Sequence, residues 1–510
     1  MDLNLTNSNK SSRSLVASRL SLAVGYFGVS LVFSAIILLL PLLVLFAYPA
    51  EVSNVFYFLI PAIVCVIIGL PLALQLKNVD KSAFQQKYSS VIVIGIWIII
   101  ILTSSIPFCA AGYLNFTQSV FEITSGYTTS GLTIVVPSQL PNVFLMFRSV
   151  TMYFGGIGLM LVLVAFIQRS HGIKMYNEEG HNDKILPQLF KNARLIFGVY
   201  TFYIVISAII YMVLGMSWFD ALNHSICAYA TGGFSTRDAS IASYNSPAID
   251  IATTVFMFLG AINFNMHIFL LSGRFKSFFR HCENKMMIFL TIFFSPLIAY
   301  LMYQAGASNL GDSIRYGFFN VVSAFSTTGF STGPDLKFLP SSVLIILVLL
   351  MTMGGSSEST TGGIKQYRIS ILVKNLYWTI VKKFQNIRLI KRRSINRYGN
   401  DTIVTDEELI KVNSMFTYYM LIFFLGSFAL AMCGYSLGDS IYEFASALGN
   451  EGTSVGITGP WTPNAPLWIM TIGMFLGRLE IIVVFLAIFS VFTGAKHIFT
   501  SPKAKDNLAN

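Results

Sequence analysis

Long apolar runs separated by short polar stretches dominate the chain. A helix needs about 20 apolar residues to cross a bilayer. Ten runs of that order lie near 20–48, 55–76, 89–110, 142–168, 195–217, 247–273, 286–305, 341–380, 411–433 and 465–495, and each predicts a membrane helix. The eighth is too long and is interrupted by MGGSSESTTGG at 353–363. Four shorter segments, 115–136, 218–236, 313–332 and 438–459, start as aromatic-rich helical patterns and end in Thr, Ser and Gly. They are too short and too polar to cross, which predicts re-entrant loops.

Composition agrees with this pattern. Of 510 residues, 54% are hydrophobic and only 11% charged, with a mean hydropathy of +0.67. A soluble domain carries about 25% charged residues, so this much apolar surface requires lipid. A cytosolic enzyme, a nucleic-acid-binding module and a disordered protein are excluded. The isoelectric point near 9.3 hints at an anionic partner until the charges are placed. Of the 34 basic residues, 29 fall in the N-terminus (Lys10, Arg13, Arg19), 77–88, 169–195, 274–286, 364–412 and the C-terminus. Only Arg237, Arg315 and Lys337 fall on the other side, and Arg148 and Arg478 lie in or beside apolar spans. By the positive-inside rule both termini are expected in the cytoplasm and all four short segments at the outer face. Basicity is therefore a topology signal, and nucleic acid is not an expected partner. Cys65, Cys109, Cys227, Cys282 and Cys433 show no metal or disulfide spacing and read as small hydrophobes. The N-terminal polar stretch reads as a cytoplasmic lead-in, not a cleaved signal.

A unit of span, re-entrant segment and span occurs four times. Its polar cores are TTSGLTIV (128–135), ATGGFSTRD (230–238), STTGFSTGPD (326–335) and GNEGTSVGITG (449–459). Aligning them superposes Gly131, Gly233, Gly329 and Gly452, at intervals of 102, 96 and 123 residues. The expected organisation is an all-α polytopic membrane protein with an N-terminal two-helix hairpin (1–88) and four repeats. The repeats are 89–194 with pore loop 115–136, 195–285 with pore loop 218–236, 286–410 with pore loop 313–332, and 411–510 with pore loop 438–459.

Such segments suit an ion filter. A monovalent cation crossing lipid must exchange its water shell for protein oxygens, and backbone carbonyls supply them without fixed charge. Glycine permits the positive φ that re-aims carbonyls. The preceding short helix turns its partially negative C-terminal end toward the cation. Four segments in one chain would close a ring. The filter expected on this basis comprises Thr129, Ser130, Gly131, Thr231, Gly232, Gly233, Thr327, Thr328, Gly329, Asn450, Glu451 and Gly452.

With these residues in view, the chain resembles the Trk/Ktr/HKT superfamily of potassium transporters, and within it the Trk-type membrane subunit. FDALNHSICAYATGGFST (219–236) and FFNVVSAFSTTGFST (318–332) are similar to the family's second and third pore loops. FRSVTMYFGGIG (147–158), GGIK (362–365) and GRLE (477–480) match intervening signatures. The two extra N-terminal spans favour the Trk type. The resemblance implies potassium coordination at Gly131, Gly233, Gly329 and Gly452. Some plant relatives carry Ser at the first position and favour sodium; Gly131 favours potassium here.

The stretch Gly354, Gly355, Ser356, Ser357, Glu358, Ser359, Thr360, Thr361, Gly362, Gly363 weakens a helix. In the family the equivalent segment is an intramembrane loop that obstructs the pore, though small residues are usual where Glu358 and Thr361 stand. Glu358 would be tolerated in an aqueous cavity, attracting cations or pairing with a basic group. Arg478, an isolated charge in an apolar span, is expected on the ion path by the resemblance, or else in a structural pair with Glu480 or Glu358. Glu451, where the family has a neutral residue, would either strengthen cation binding at the outer mouth or brace the fourth filter strand. Asp220 and Asn223 are expected to cap or brace the second pore helix, and His224 and His267 to be structural.

Neither a Walker A nor a Rossmann glycine motif is present, so no cofactor is expected beyond potassium as substrate. The resemblance implies a homodimer and a separate cytosolic nucleotide-binding regulatory subunit docked on 169–195, 274–286 and 364–412. It also implies residence in a bacterial inner membrane. Two alternatives stand beside potassium uptake. One is a sodium or poorly selective monovalent cation transporter of the same fold; the other is a secondary transporter of an organic solute, for which the parallel repeats fit less well. No catalytic constellation is found, so an enzyme is not expected.

Overall fold

The computed structural model describes residues 3–78, 86–159, 189–384 and 393–499. Parts of the expected docking surface (169–188, and the Lys391–Arg392 pair), the end of the fourth span (160–168) and the basic residues beyond 499 lie outside them. The described residues fall in two compact units.

The first unit contains α1 (Leu3–Leu39), α2 (Val55–Leu74), α3 (Gln86–Ala110) and the C-terminal helix Ile481–Phe499. α1 and α2 form the expected hairpin. A Cβ on Gly28 would overlap Ala73 N and the Gly69 carbonyl, and one on Gly69 would meet the Gly28 carbonyl. Small residues let two membrane helices bring their backbones together, which gains van der Waals contact where lipid offers no hydrophobic drive.

The second unit runs from Leu114 to Gly158 and from Asp183 to Arg478. Its helices are α4 (Phe116–Tyr127), α5 (Asn142–Ile157), α6 (Leu189–Val213), α7 (Trp218–Tyr229), α8 (Pro247–Gly260), α9 (Phe264–Leu271), α10 (Phe275–Arg280), α11 (Cys282–Gln304), α12 (Leu310–Phe325), α13 (Ser341–Met353), α14 (Gln366–Phe384), α15 (Asp406–Met432), α16 (Leu437–Gly449) and α17 (Asn464–Arg478). The four re-entrant segments each form one short helix, α4, α7, α12 and α16, followed by extended chain.

Among the described residues four of the expected spans are interrupted, not one. The fourth, expected over 142–168, leaves its helix at Gly158, whose φ is +97°. The eighth breaks as its glycines predict, between α13 and α14. The sixth was expected as one helix over 247–273 but is α8 and α9, bent by 113°. At that break Asn263 caps α9 by accepting from Asn265 N (2.9 Å), and two backbone groups pair with the 353–363 loop: Ser356 N donates to Ala261 O (2.9 Å) and Phe264 N to Glu358 O (3.1 Å). The tenth, expected as one span over 465–495, is two helices, Asn464–Arg478 and Ile481–Phe499, with Glu480 at φ +56° between them. The sixth-span break falls in largely apolar sequence, where hydropathy alone does not register it, whereas the tenth-span break coincides with the charges of Arg478 and Glu480.

The expected all-α fold also carries a small addition. β1 (Ser394–Arg397) and β2 (Asn400–Ile403) pair antiparallel within the basic 364–412 stretch. Tyr398 and Gly399 turn the hairpin with φ of +53° and +85°, the left-handed pair that matches strand twist. Ile395 and Val404 pack with Ile371, Leu409 and Val412, so the described residues from 393 to 412 form a folded element.

Candidate ion-conducting site

Each pore helix is built the same way at both ends. Asn115, Ser217, Asn309 and Ser436 cap the N-termini, accepting from the backbone N–H of Gln118, Asp220, Asp312 and Asp439. At the C-termini the N–H groups of Ser130, Gly232, Thr328 and Glu451 donate to the carbonyls five residues earlier, on Ser125, Cys227, Ser323 and Ser446, at 2.9–3.0 Å. The preceding residues donate three residues back, to Gly126, Ala228, Ala324 and Ala447. This double bond pattern is a Schellman end, and it requires a left-handed residue. Thr129, Thr231, Thr327 and Asn450 occupy that conformation, with φ of 51–55°. Each chain then passes one further residue and reaches a glycine of positive φ, 88°, 69°, 75° and 103° at Gly131, Gly233, Gly329 and Gly452.

These four glycines close a ring. A Cβ on Gly131 would overlap the Gly232 carbonyl oxygen, one on Gly233 that of Thr328, one on Gly329 that of Glu451, and one on Gly452 that of Ser130. Every strand thus touches the next through its backbone, and the fourth returns to the first. Above the ring lies a cavity of about 500 Å³, lined by all four glycines together with Thr133, Arg148, Arg237 and Ser454.

Side chains on the pore helices hold the strands from behind. Nine residues before the glycine stands Glu122 in the first repeat, His224 in the second and Glu443 in the fourth. Each meets the hydroxyl residue two after the glycine: Thr133 Oγ1 donates to Glu122 (2.9 Å), Ser235 Oγ pairs with His224 Nε2 (2.9 Å), and Ser454 Oγ donates to Glu443 (3.0 Å). Glu443 also accepts from the backbone of Val455 and Thr458. Glu451 is 2% exposed, and its carboxylate accepts from Thr453 N (2.8 Å), from the Thr453 hydroxyl and from Ser446 Oγ. It therefore folds back on its own strand and does not reach the mouth. At the mouth Asp220 accepts from Thr236 and from Arg237 (2.6 Å). Burial pushes its carboxyl up, but these two donors hold it below the usual range. Asn223 receives the Ser149 hydroxyl at 2.5 Å, tying α7 to α5.

The inner side of the ring is occupied by the 353–363 loop. Thr360 anchors it: its hydroxyl meets Thr231 Oγ1 (2.9 Å), Gly260 O (3.0 Å) and Tyr229 O (3.2 Å). Gly362 N donates to Thr327 Oγ1 at 2.8 Å, and Thr129 Oγ1 lies 3.4 Å from Thr360 O. Three of the four left-handed filter residues thus hydrogen-bond to the loop, and a Cβ on Gly362 would meet the fourth, Asn450. Asn450 instead donates to Ser130 Oγ (2.8 Å) and Met474 O (2.9 Å). Gly354 and Gly363 have φ of +68° and +73°, and a Cβ on Gly354 would overlap the Gly362 carbonyl, so the loop folds on itself only with glycine there. A Cβ on Gly355 would meet the Thr361 side chain. Glu358 is 5% exposed at φ +52°, with Asn265 Nδ2 3.5 Å from its carboxylate. Arg478 donates to Thr360 O (2.6 Å), to Gly155 O and, at 3.4 Å, to Thr129 Oγ1. One guanidinium therefore joins the loop, the first filter strand and the end of α5.

A pore ring built from four parallel repeats can be compared with known transporters. Residues 55–493 match the model of the family TrkH, described as a cation transport protein. The chain belongs to the TrkH family of cation transport proteins. It is 29% identical over 403 residues to the Trk system potassium uptake protein TrkH of Halomonas elongata, covering 76% of this chain and 82% of that protein. It is likewise 29% identical over 420 residues to the protein of that name from Escherichia coli K12 (79% and 85% covered). The crystal structure of the potassium transporter TrkH from Vibrio parahaemolyticus has the same fold, with a TM-score of 0.79 over 94% of this chain and 98% of that one, at 24% identity.

Within this TrkH-family chain, the filter residues expected from sequence come together in one ring and the expected loop residues lie beneath it. Sequence reasoning missed Glu122, Glu443 and Arg148, all buried. Extending the repeat alignment nine residues upstream of each glycine would have found both carboxylates. Sequence reasoning places Thr360 in the loop but does not foresee its anchoring role, because its contacts come from Tyr229 and Gly260, 131 and 100 residues away, and no local signal reports such a partner. Of the two histidines expected to be structural, His224 bonds Ser235 and His267 Nε2 bonds Leu259 O at 3.0 Å.

Proposed function

We propose that the protein takes up potassium across the bacterial inner membrane, with both termini in the cytoplasm. The ion sheds water at the outer vestibule and is coordinated by backbone carbonyls at Gly131, Gly233, Gly329 and Gly452. The observation that carries this reading is the closed backbone ring, each glycine seated against the carbonyl before the next. Uncharged carbonyls suit a monovalent ion, which must bind well enough to enter and weakly enough to leave. The pore helices add partial negative charge at the same point. The names of the Halomonas elongata and Escherichia coli relatives support potassium, and the asymmetry of basic residues supports the orientation.

The loop and Arg478 form the gate. With Thr360 bound to Thr231 and with Arg478 holding Thr360 O, the path below the ring is blocked by backbone and by a positive charge. Conduction requires the loop to leave the filter and the guanidinium to move with it. A cytosolic nucleotide-binding subunit, docked on 169–195, 274–286 and 364–412, supplies that control in a homodimer with one pore per protomer.

Rubidium and sodium flux into proteoliposomes tests the reading. Rubidium is expected to exceed sodium, and Gly131→Ser to narrow the difference. If sodium passes as readily as rubidium in the unmutated protein, potassium is the wrong substrate and the sodium or unselective reading takes its place.

A further inference from the structure

Arg148 stands apart from the gate and from the ring itself. It is 2% exposed, yet it belongs to the lining of the outer vestibule. Its guanidinium points three ways at once. Nε donates to Glu122 Oε1 at 2.8 Å, Nη2 to Thr133 Oγ1 at 2.9 Å, and Nη1 to Ser235 O at 3.1 Å. Its carbon lies 4.0 Å from the centre of the Phe234 ring. Thr133 follows the first filter glycine by two residues, and Phe234 and Ser235 follow the second by one and two.

Glu122 completes the arrangement. One oxygen takes the Arg148 ion pair and the Thr133 hydroxyl, and the other accepts from Ile134 N at 3.1 Å. The first filter strand is thus held by a pore-helix carboxylate, and the second is held to it through a single arginine. In the fourth repeat the corresponding carboxylate, Glu443, accepts from Ser454, Val455 and Thr458, all neutral donors on its own strand. The second repeat uses a histidine there, which bonds Ser235. The four joints of the ring are therefore not equivalent.

From this geometry we infer that Arg148, held by Glu122, is a positioning residue for ion selectivity that sets the spacing of the first and second filter strands. The inference rests on the reading of the ring as a potassium filter. Carbonyl coordination discriminates between ions only while the oxygens keep their separation and number, so a joint fixed at three points restricts the positions two of the four carbonyls can take. The pair has a second consequence. An arginine lining a cation vestibule would repel the incoming ion, and Glu122 at 2.8 Å cancels that charge.

Lysine separates shape from charge. It keeps the ion pair but carries one nitrogen, which cannot reach three divergent acceptors together. Rubidium and sodium flux would be measured in proteoliposomes from monodisperse preparations of the unmutated protein, Arg148→Lys, Glu122→Gln and Thr133→Val. Arg148→Lys should lower the rubidium-to-sodium ratio about tenfold or more, the scale of one lost charge-assisted hydrogen bond. Glu122→Gln should raise the apparent KM for rubidium with a smaller change in maximal rate, because the positive charge is then uncompensated. Thr133→Val removes one acceptor with little change of volume and should lower the ratio by less; it also carries the test should Arg148→Lys not fold. A ratio unchanged from the unmutated protein in Arg148→Lys, or in Thr133→Val if that variant must serve, overturns the inference. If the unmutated protein itself shows no preference for rubidium, it is the filter reading that fails.

Discussion

Thr129, Thr231 and Thr327 hold a left-handed backbone that β-branched residues rarely adopt. Such positions cost of order 1–3 kcal/mol each, and asparagine at the fourth is the easier occupant. Here the strained residue also offers its hydroxyl to the 353–363 loop at Thr129, Thr231 and Thr327, so the same three side chains end the pore helices and seat the loop. Thr360→Val removes the hydroxyl that meets Thr231, Tyr229 and Gly260. At ~1 kcal/mol for a hydrogen bond, it should raise basal rubidium flux about fivefold, read in proteoliposomes without any regulatory subunit. Gly329→Ala drives a Cβ into the Glu451 carbonyl. Overpacking of this kind costs ~1–3 kcal/mol, so flux should fall by roughly an order of magnitude while the protein still purifies as a folded species. The glycines were legible in the sequence because four copies at matched positions exposed them. The direction of the Glu451 carboxylate was not, since both the mouth and the back of the strand are within reach of its side chain.

At the scale of elements, the β-hairpin connects the basic 364–412 stretch to the loop. The Tyr398 hydroxyl, at the hairpin turn, accepts from Asn263 Nδ2 and Asn265 Nδ2, both at 3.3 Å. Asn263 also donates to Ser357 O at 2.8 Å, and Glu283 on α11 accepts from Ser357 N at 2.7 Å. A force on the hairpin therefore has a short route to the loop. Tyr398→Phe leaves the packing and removes the hydroxyl, and basal flux should rise by a fewfold, up to about fivefold for ~1 kcal/mol of lost bonding. Unchanged flux would show that the hairpin does not bias the loop. The break between α8 and α9 belongs to this same system, because its free backbone groups are satisfied by Ser356 and Glu358. Hydrophobic periodicity predicts a straight span there, since a helix interrupted for a tertiary partner is as apolar as one that is not.

For the whole molecule, the charge pattern makes a prediction independent of flux. In a cysteine-free background, Arg237→Cys should react with a membrane-impermeant thiol reagent added outside intact cells, and Lys276→Cys only after the membrane is opened; both positions are exposed. The reverse pattern would invert the assigned orientation. Length, hydropathy and the placement of Lys and Arg were enough to establish a polytopic membrane protein, because lipid penalises each polar residue locally and additively. The repeat was likewise legible, because each copy must rebuild the same helix end and the same positive-φ glycine from its own residues. The pairings were decided by tertiary structure: Arg148 between two filter strands, Thr360 beneath the ring, Tyr398 against Asn263. They depend on which polar groups, far apart in the chain, find one another in a medium without water to satisfy them, and that is a property of the folded whole.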